Sequence, residues 1–497
     1  MFINSSEENI DYKTLYEQSL QQIALLQLQV AELRKFIFNG KQEAFKPDPN
    51  AHKLQAALFP ESAIGEVVTE SIKKVDAYEK KTTSIRINHP GRNPISDHLR
   101  RETVRLVPTE DVSDLKPIGE EITEQLEYNP GELYVKRYVR PEYLKPSGDK
   151  TEARRIIAEL PAFPLSKSYA GASLLSHLMV SKFVDHLPVY RQLQILSRQK
   201  VNIDATTVSN WIREACNLIV PLYEAHKKEV LATNYLNVDE TPIKVLDKAK
   251  KGTTHQGYYW VYYNTLNKNV LFEYQQGRSG SFPREVLKDY QGYLQTDGYA
   301  GYEQFDKIPG VIPLNCWAHA RRKFFDAQDS DKEKASKVLI DIQSLYAVEA
   351  YCRDMAKSAE EVNAHRHEYA STVLHNLHIT LQEQLATTLP NSPLGKALQY
   401  TLARWDKLNV YLSDGNLRID NNLIENSIRP VALGRKNYLF AGSHEAAQRG
   451  AMLYSLFATC RLHNLDPQAW LTDVLNKIND TKINCIHELL PQNYSKK

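Results

Sequence analysis

Two aspartates of this chain stand where a sheet-borne acid can act on a ligand. Asp239 lies in Asn237-Val238-Asp239-Glu240-Thr241-Pro242, and Asp297 in Gln295-Thr296-Asp297-Gly298-Tyr299. Each follows a run that reads as a strand, Tyr235–Val238 before the first and Tyr293–Thr296 before the second. Ligand sites in open α/β sheets gather at strand ends. A single such Asp is more often the acceptor of an Asx turn; two, at the ends of strands one and four of one sheet, favour chemistry. A third acid is offered by Ile419-Asp420-Asn421-Asn422-Leu423-Ile424-Glu425-Asn426-Ser427-Ile428-Arg429-Pro430. With Asp420 or Asn421 as N-cap, Asn421, Glu425 and Arg429 fall at i, i+4 and i+8 on one helix face. Spacing alone leaves two readings of Glu425 open, a third ligand or half of a Glu–Arg surface pair.

Three converging carboxylates suit two Mg²⁺ (or Mn²⁺) ions about 3.5–4 Å apart, one activating an attacking water or hydroxyl and the other stabilising the leaving oxygen of an in-line displacement at phosphorus. Mg²⁺ prefers hard oxygen ligands and keeps several waters, so few protein ligands suffice. Two basic clusters flank the acids. One is Trp317-Ala318-His319-Ala320-Arg321-Arg322-Lys323-Phe324, the other Gly434-Arg435-Lys436-Asn437-Tyr438. Either alone would be a solvated helix face. Beside the acids, His319, Arg321, Arg322, Lys323, Asn421, Arg429, Arg435 and Lys436 become candidate contacts to DNA. His319 has an alternative as a buried structural histidine.

The elements that must position these residues follow from patterning. Tyr235–Val238, Gly257–Asn264, Val270–Tyr274, Tyr293–Thr296 and Val311–Cys316 read as strands, the second dense in aromatic and β-branched residues. Helical segments are expected over Pro283–Tyr290, over Ala300–Phe305 and from Trp317. The order β-β-β-α-β-α-β-α implies a meander extended by parallel strands, the order expected of a ribonuclease H-like domain. There strands one and four are neighbours, so Asp239 and Asp297 would converge. Residues 331–410 read as an inserted helical subdomain, with stripes Val338, Ile342, Leu345, Tyr346, then Leu374, Leu377, Leu381, Leu385, then Leu394, Leu398, Leu402, Trp405. These stripes are expected to be core.

The 497 residues allow about three domains. Residues 11–45 read as a helix with a heptad seam of Tyr16, Ile23, Leu26, Val30, Leu33 and Ile37, either a short coiled coil joining copies through residues 11–40 or an amphipathic helix packed on its own domain. Residues 71–103 are charge-rich and read as a linker. A small β-rich module is expected over 86–160, from alternation such as Tyr134–Val139. Residues 165–225 suggest helix-turn-helix or an ordinary helical hairpin, with Val208, Trp211 and Ile212 on one face. The catalytic domain is expected over 230–445 and a C-terminal helical region over 446–497. No apolar run approaches the roughly 18–20 residues of a membrane span, and the start MFINSSEENI has no signal-peptide pattern. A cytoplasmic protein with no membrane partner is expected. Five scattered cysteines argue for reduced thiols. A net charge of +2 neither demands nor excludes nucleic acid.

Several segments are more specific than the three acids. They are Phe36–Lys41, His89-Pro90-Gly91-Arg92, Gly119–Leu126 (GEEITEQL), Ser181–Arg191 (SKFVDHLPVYR), Val238–Pro242 (VDETP), Thr296–Tyr302 (TDGYAGY), Cys316–Phe325 (CWAHARRKFF), Ile419–Glu425 (IDNNLIE) and Arg429–Ser443 (RPVALGRKNYLFAGS). In these the chain resembles the transposases of the insertion-sequence sixty-six family, a DDE-type group, over nearly its whole length. The resemblance implies an α+β multidomain protein whose ribonuclease H-like catalytic domain carries a helical insertion before the last acid. It also implies Asp239, Asp297 and Glu425 as the metal-binding catalytic triad. The implied reaction cleaves DNA at element ends, and the freed 3′-hydroxyl attacks target DNA. Small accessory proteins usually serve the family. There are two departures. Members typically carry a cysteine zinc module, whereas residues 86–160 here contain no cysteine, with Thr109–Lys116 and Leu144–Ala153 where ligand pairs belong. That module is therefore expected to be degenerate, without zinc. Asn426 follows Glu425 where the family usually has Arg. The alternatives are a catalytically dead DNA-binding derivative and a ribonuclease H-like nuclease.

Overall fold

The computed structural model describes residues 161–494 except 167 and 248–251, and before them 131, 133–136, 138, 142–146 and 153–157. The heptad helix of 11–45, the linker of 71–103 and the motifs at 36–41, 89–92 and 119–126 lie outside the described residues. The described chain forms two compact units that part at Leu160–Pro161. The smaller contains an antiparallel hairpin, β1 (Glu142–Pro146) with β2 (Ala153–Ile157), in register Glu142↔Ile157 to Pro146↔Ala153. Alternation at Tyr134–Val139 does not become a strand at its described positions, where Tyr134 and Val135 are exposed. Alternation makes a segment competent for pairing; a strand also needs a partner ladder.

The larger unit is α+β. Four helices come first: α1 (Ala172–Phe183), α2 (Val189–Arg198), α3 (Ala205–Leu218) and α4 (Val220–Leu231). Val208, Trp211 and Ile212 are buried together on α3, as their spacing predicts. A mixed five-stranded sheet follows, built from β3 (Tyr235–Leu246), β4 (Thr254–Asn264), β5 (Asn269–Gln275), β6 (Gly292–Thr296) and β7 (Val311–Asn315). Its spatial order is β5-β4-β3-β6-β7. The first three strands are antiparallel, and β6 and β7 run parallel to β3.

β3 is longer than the sequence suggests. The expected strand ends at Val238, yet the strand continues to Leu246 because β4 pairs with it from Leu236↔Asn264 to Leu246↔Thr254. The ladder to β6 ends at Asn237↔Gln295. From Val238 to Ile243 β3 is paired on one side only, where proline's missing N–H is tolerated, and further on Val245 bridges to Ala441. Asp239 therefore sits inside a strand, not at its end, but just past the last rung toward β6.

The two sheet faces bury different cores. Trp260, Tyr262, Leu271 and Leu294 pack with Leu287, Tyr302 and Phe305. Tyr259, Val261, Tyr263, Val270 and Phe272 pack with α1, α3 and the helix α13 described below.

The connections between the later strands are short. α5 (Ser281–Val286) precedes β6, a 3₁₀ stretch covers Ala300–Lys307, and α6 (Trp317–Ala327) follows β7. The inserted helices are α7 (Lys332–Asp354), α8 (Ala359–His365), α9 (Ser371–Ala386), α10 (Pro393–Leu402) and α11 (Trp405–Asn409). Their apolar stripes do form one core: Val338, Ile342, Leu345, Leu374, Leu377, Leu381, Leu394 and Leu398 are buried against Trp317 and Phe324 of α6. Local caps set the boundaries, since Asp331 and Ser392 accept N–H bonds from Lys334 and Gly395, and Ser358 with Glu361 forms a capping box. Inside the insertion, fully buried Arg366 directs Nε and Nη2 at the two oxygens of Glu349, both at 2.7 Å. It also donates to the carbonyls of Tyr411, Asp414 and Leu417 at 2.7, 2.9 and 2.8 Å. All five guanidinium donors are thereby used.

The chain closes with α12 (Asn422–Tyr438), α13 (His444–Leu462) and α14 (Pro467–Lys477). α13 lies along β5, the outer strand. Ser455 Oγ accepts the Phe272 N–H at 2.7 Å and Thr459 Oγ1 accepts that of Val270 at 3.2 Å. Helix hydroxyls thus occupy donors that an edge strand leaves open. Among the described residues no helix is long and apolar enough to cross a membrane, and all five cysteines are free thiols.

Candidate functional site

Each expected acid is preceded, one structural period earlier, by a buried amide side chain. Asn237 precedes Asp239 by two residues along β3, Gln295 precedes Asp297 by two along β6, and Asn421 precedes Glu425 by four at the start of α12. Residues two apart on a strand, or four apart on a helix, share a face. The three amides meet. Asn237 Nδ2 donates to Gln295 Oε1 at 2.9 Å and to Asn421 Oδ1 at 2.7 Å. Tyr235 Oη donates to Gln295 Oε1 at 2.5 Å, Gln295 Nε2 to the Arg418 carbonyl at 2.9 Å, and the Arg418 N–H to Tyr235 Oη at 3.0 Å. Thr265 Oγ1 donates to Asn237 Oδ1, and the Asn421 N–H donates to Cys316 Sγ at 3.1 Å. This polar suture joins β3, β6 and the approach to α12 beneath the acids. Sequence reasoning missed Asn237 and Gln295 in this role; their two-residue offset from the acids was the available sign.

Above the suture, one carboxylate oxygen each of Asp239, Glu240 and Asp297 lies within 4.8 Å of the others. The Glu240 N–H donates to Asp239 Oδ1 at 2.7 Å and the Tyr299 N–H to Asp297 Oδ1 at 2.8 Å. Glu240 was not anticipated. Both its oxygens are engaged, by Arg278 Nε at 2.7 Å and by Tyr302 Oη at 2.6 Å, while the Arg278 guanidinium lies 4.0 Å over the Tyr299 ring. Burial, then the charges of Asp297, Glu240 and Glu425, hold the Asp239 carboxyl well above the usual carboxylate range. Burial also raises Glu240, against the Tyr302 and Arg278 hydrogen bonds.

Glu425 sits in the first turn of α12, where the helix N-terminus favours an anion. It is outside the 4.8 Å group. Its Oε1 is 3.8 Å from His319 Nε2 and its Oε2 is 3.8 Å from Arg322 Nη2. His319 feels both Asp297 and Glu425, and burial is the largest influence, lowering its pKa. The structure therefore brings Asp239 and Asp297 together directly, and Glu425 to them with His319 as the shared neighbour. Hard oxygen donors crowded in this way fit a divalent cation. So does Glu425 Oε1, which is buried with no hydrogen-bond partner among the described residues.

The remaining expected contacts divide. Lys323, Arg429 and Lys436 are exposed, and Arg321 and Arg322 are half-buried. Arg435 is half-buried and donates to the Pro242 carbonyl. Asn421, expected on the same ligand face as Glu425, has no exposed surface at all. It takes the N-cap position but makes no capping bond with its side chain; Asp420 Oδ1 accepts the Asn422 N–H at 3.1 Å. The Asn421 amide belongs to the suture and cannot touch DNA. Replacing Asn421 by Ala strands the Asn237 donor, which should cost about 1–3 kcal/mol. A denaturant midpoint measures that loss, and a gel shift with duplex DNA should show unchanged affinity.

The loop after β6 is held from the insertion. Tyr400 Oη donates to the Asp297 carbonyl at 2.7 Å and Arg404 Nη2 to the Gly298 carbonyl at 3.0 Å. Burial pushes the Tyr400 phenol up to about 12.

Residues 167–449 match the family described as "Transposase IS66 family", and residues 455–492 match the "IS66 C-terminal element". Among curated proteins, the uncharacterized protein y4hP of Sinorhizobium fredii is 29% identical over 94% of this chain and 88% of its own length. The uncharacterized protein y4jD of the same organism is 30% identical over 96% of each. No solved structure matches.

Proposed function

Because the chain belongs to the IS66 transposase family, we propose that it is a DDE-type DNA transposase, with Asp239, Asp297 and Glu425 as its metal-binding acids. It cleaves DNA at insertion-sequence ends and transfers the freed 3′-hydroxyl to target DNA. The observation that carries this reading is the amide suture, which ties the segments bearing all three acids into one rigid base. The sheet supports a ribonuclease H-like reading, since three antiparallel strands are extended by two strands parallel to the first.

Asp239 and Asp297 would hold one divalent cation between them, and Glu425 would complete the set from the side of His319. Mg²⁺ or Mn²⁺ bound there supplies Lewis-acid activation of the attacking oxygen and neutralises charge gathering at phosphorus. The protein's own part is positional. β3 and the end of β6 fix the two aspartates, and α12 presents Glu425. Burial lowers the His319 pKa, and its Nε2 stands 3.8 Å from Glu425 Oε1 at the edge of the acid group. Arg321, Arg322 and Lys323 on α6 and Arg429, Arg435 and Lys436 on α12 would serve as the DNA-backbone contacts, and Arg322 stands 3.8 Å from Glu425. Glu240, ion-paired with Arg278, adds a carboxylate to the group of Asp239 and Asp297.

The domain assignment follows from this reading. Residues 230–445 catalyse, and 165–225 bind ends in helix-turn-helix fashion. Residues 11–45 join copies, and 86–160 form a module without zinc. The protein works in the cytoplasm with DNA and the element's accessory proteins. The test incubates the full chain with Mg²⁺ and duplexes carrying the element's ends. Nicks at the element boundary that leave 3′-hydroxyls, join to target DNA and vanish with chelator are expected. Cleavage indifferent to end sequence would indicate a nuclease, and end binding without cleavage a dead derivative.

A further inference from the structure

We propose that Tyr400 and Arg404, from the helical insertion, are positioning residues that clamp the backbone carrying Asp297; the proposal rests on Asp297 being a ligand of the metal centre. Asp297 is the first residue past the β6–β7 ladder, whose last rung is Thr296↔Asn315. A residue there has no sheet partner to fix it, yet a metal-binding or catalytic carboxylate must keep its place to about 0.5 Å. The insertion supplies what the ladder lacks. Its two donors, 103 and 106 residues further along the chain, take the consecutive carbonyls of Asp297 and Gly298.

The Asp297 side chain is fixed separately, by the Tyr299 N–H on Oδ1 at 2.8 Å. With carbonyl and carboxylate held from different directions, little rotation is left. The clamp is itself braced. The Tyr400 ring lies under Lys323 Nζ from α6, at 4.4 Å, and against the Arg404 guanidinium, at 4.2 Å. The loop is also shaped to admit it. Gly298 has φ +83°, and a Cβ there would stand 2.7 Å from Arg404 Nε and 3.0 Å from Tyr400 Oη. Only glycine allows both that backbone and that approach.

The insertion therefore does more than separate β7 from α12 in the chain. It reaches back to the loop after β6 and completes the support of the second acid. The test compares wild type, Tyr400→Phe, Arg404→Met and Asp297→Asn as full-length chains. Calorimetry measures Mn²⁺ affinity without DNA, and single-turnover cleavage is measured across DNA concentrations. Tyr400→Phe, which removes one oxygen, should weaken Mn²⁺ binding and slow the cleavage step about tenfold each. The DNA concentration giving half-maximal rate and the melting temperature should stay near wild type. Arg404→Met should move the same two quantities in the same direction. Mn²⁺ affinity and cleavage rate within about twofold of wild type in both variants, while Asp297→Asn loses both, would overturn the clamp alone. Mn²⁺ affinity retained in Asp297→Asn would overturn the metal-centre reading and the clamp with it.

Discussion

Asp239→Asn should abolish strand cleavage and yet make the metal-free protein more stable. Both effects come from the same crowding. The wild-type carboxylate is half-buried beside Asp297 and Glu240, and its proton affinity is raised well above the ordinary range. At neutral pH without a cation, folding therefore brings like charges together in poor solvent. The amide has the same shape and no charge, so the variant is relieved of that repulsion. Each kcal/mol relieved should raise the melting temperature by about 1–1.5 °C in a unit of this size.

The pH dependence has a definite sign. A carboxyl whose folded-state pKa is raised lends stability that is complete below its unfolded value, about 3.9, and is lost as pH rises through the folded value. Metal-free wild type should thus gain on the variant as pH is lowered from 7 toward 5, narrowing the difference. Adding Mg²⁺ or Mn²⁺ should stabilise wild type by mass action, by about 2.7 kcal/mol at a hundredfold excess over Kd, and leave the variant unmoved. Cleavage should fall at least about a thousandfold. Thermal scans with and without divalent cation, at pH 5 and 7, read the whole pattern. A variant less stable than metal-free wild type at pH 7 would contradict it.

Arg366→Met should be the most destabilising single change in the insertion. It leaves the Glu349 side chain, 12% exposed, without its cation, and it strips donors from three carbonyls at once. Breaking a buried pair from one side typically costs about 3–5 kcal/mol, which should lower the melting temperature by about 4–7 °C in a unit of this size. The carbonyls of Tyr411, Asp414 and Leu417 lie on the segment that leads into Asn421 and Glu425, so cleavage should fall along with stability. Pairing Arg366→Met with Glu349→Leu removes the stranded charge and should restore a large part of the lost stability. If the double variant melts no higher than the single one, the charge is not what the arginine neutralises.

Much of the fold was legible because it depends on short-range patterning. The aromatic run Gly257–Asn264 and the leucine stripes of 331–410 announce a strand and a helical core through periods of 2 and 3.6 residues. The convergence of Asp239 and Asp297 followed from strand order. The rest depends on partners distant in the chain. Asn237 and Asn421 are 184 residues apart, and nothing local distinguishes a buried amide at a helix start from an exposed one facing DNA. Proline at 242 signals a stop unless one knows that only one side of β3 is paired there. Glu240 joins the acid cluster because Arg278 and Tyr302 hold it there, contacts set by a loop and a 3₁₀ turn rather than by any spacing. Tyr400 and Arg404 read as ordinary helix residues until the loop after β6 is seen beside them.

The covering of β5 by α13 also imposes an order on biosynthesis. The strand residue Phe272 and the hydroxyl of Ser455 that occupies its N–H are 183 residues apart. At roughly 5–20 residues per second of translation, a nascent sheet waits about 10–40 s before its shield emerges from the ribosome. During that interval β5 is a naked template for another chain, and on a crowded polysome the nearest such chain is an identical one. A message cut short before the codon for Ser455 would leave the Phe272 and Val270 N–H groups of that edge without their helix hydroxyls.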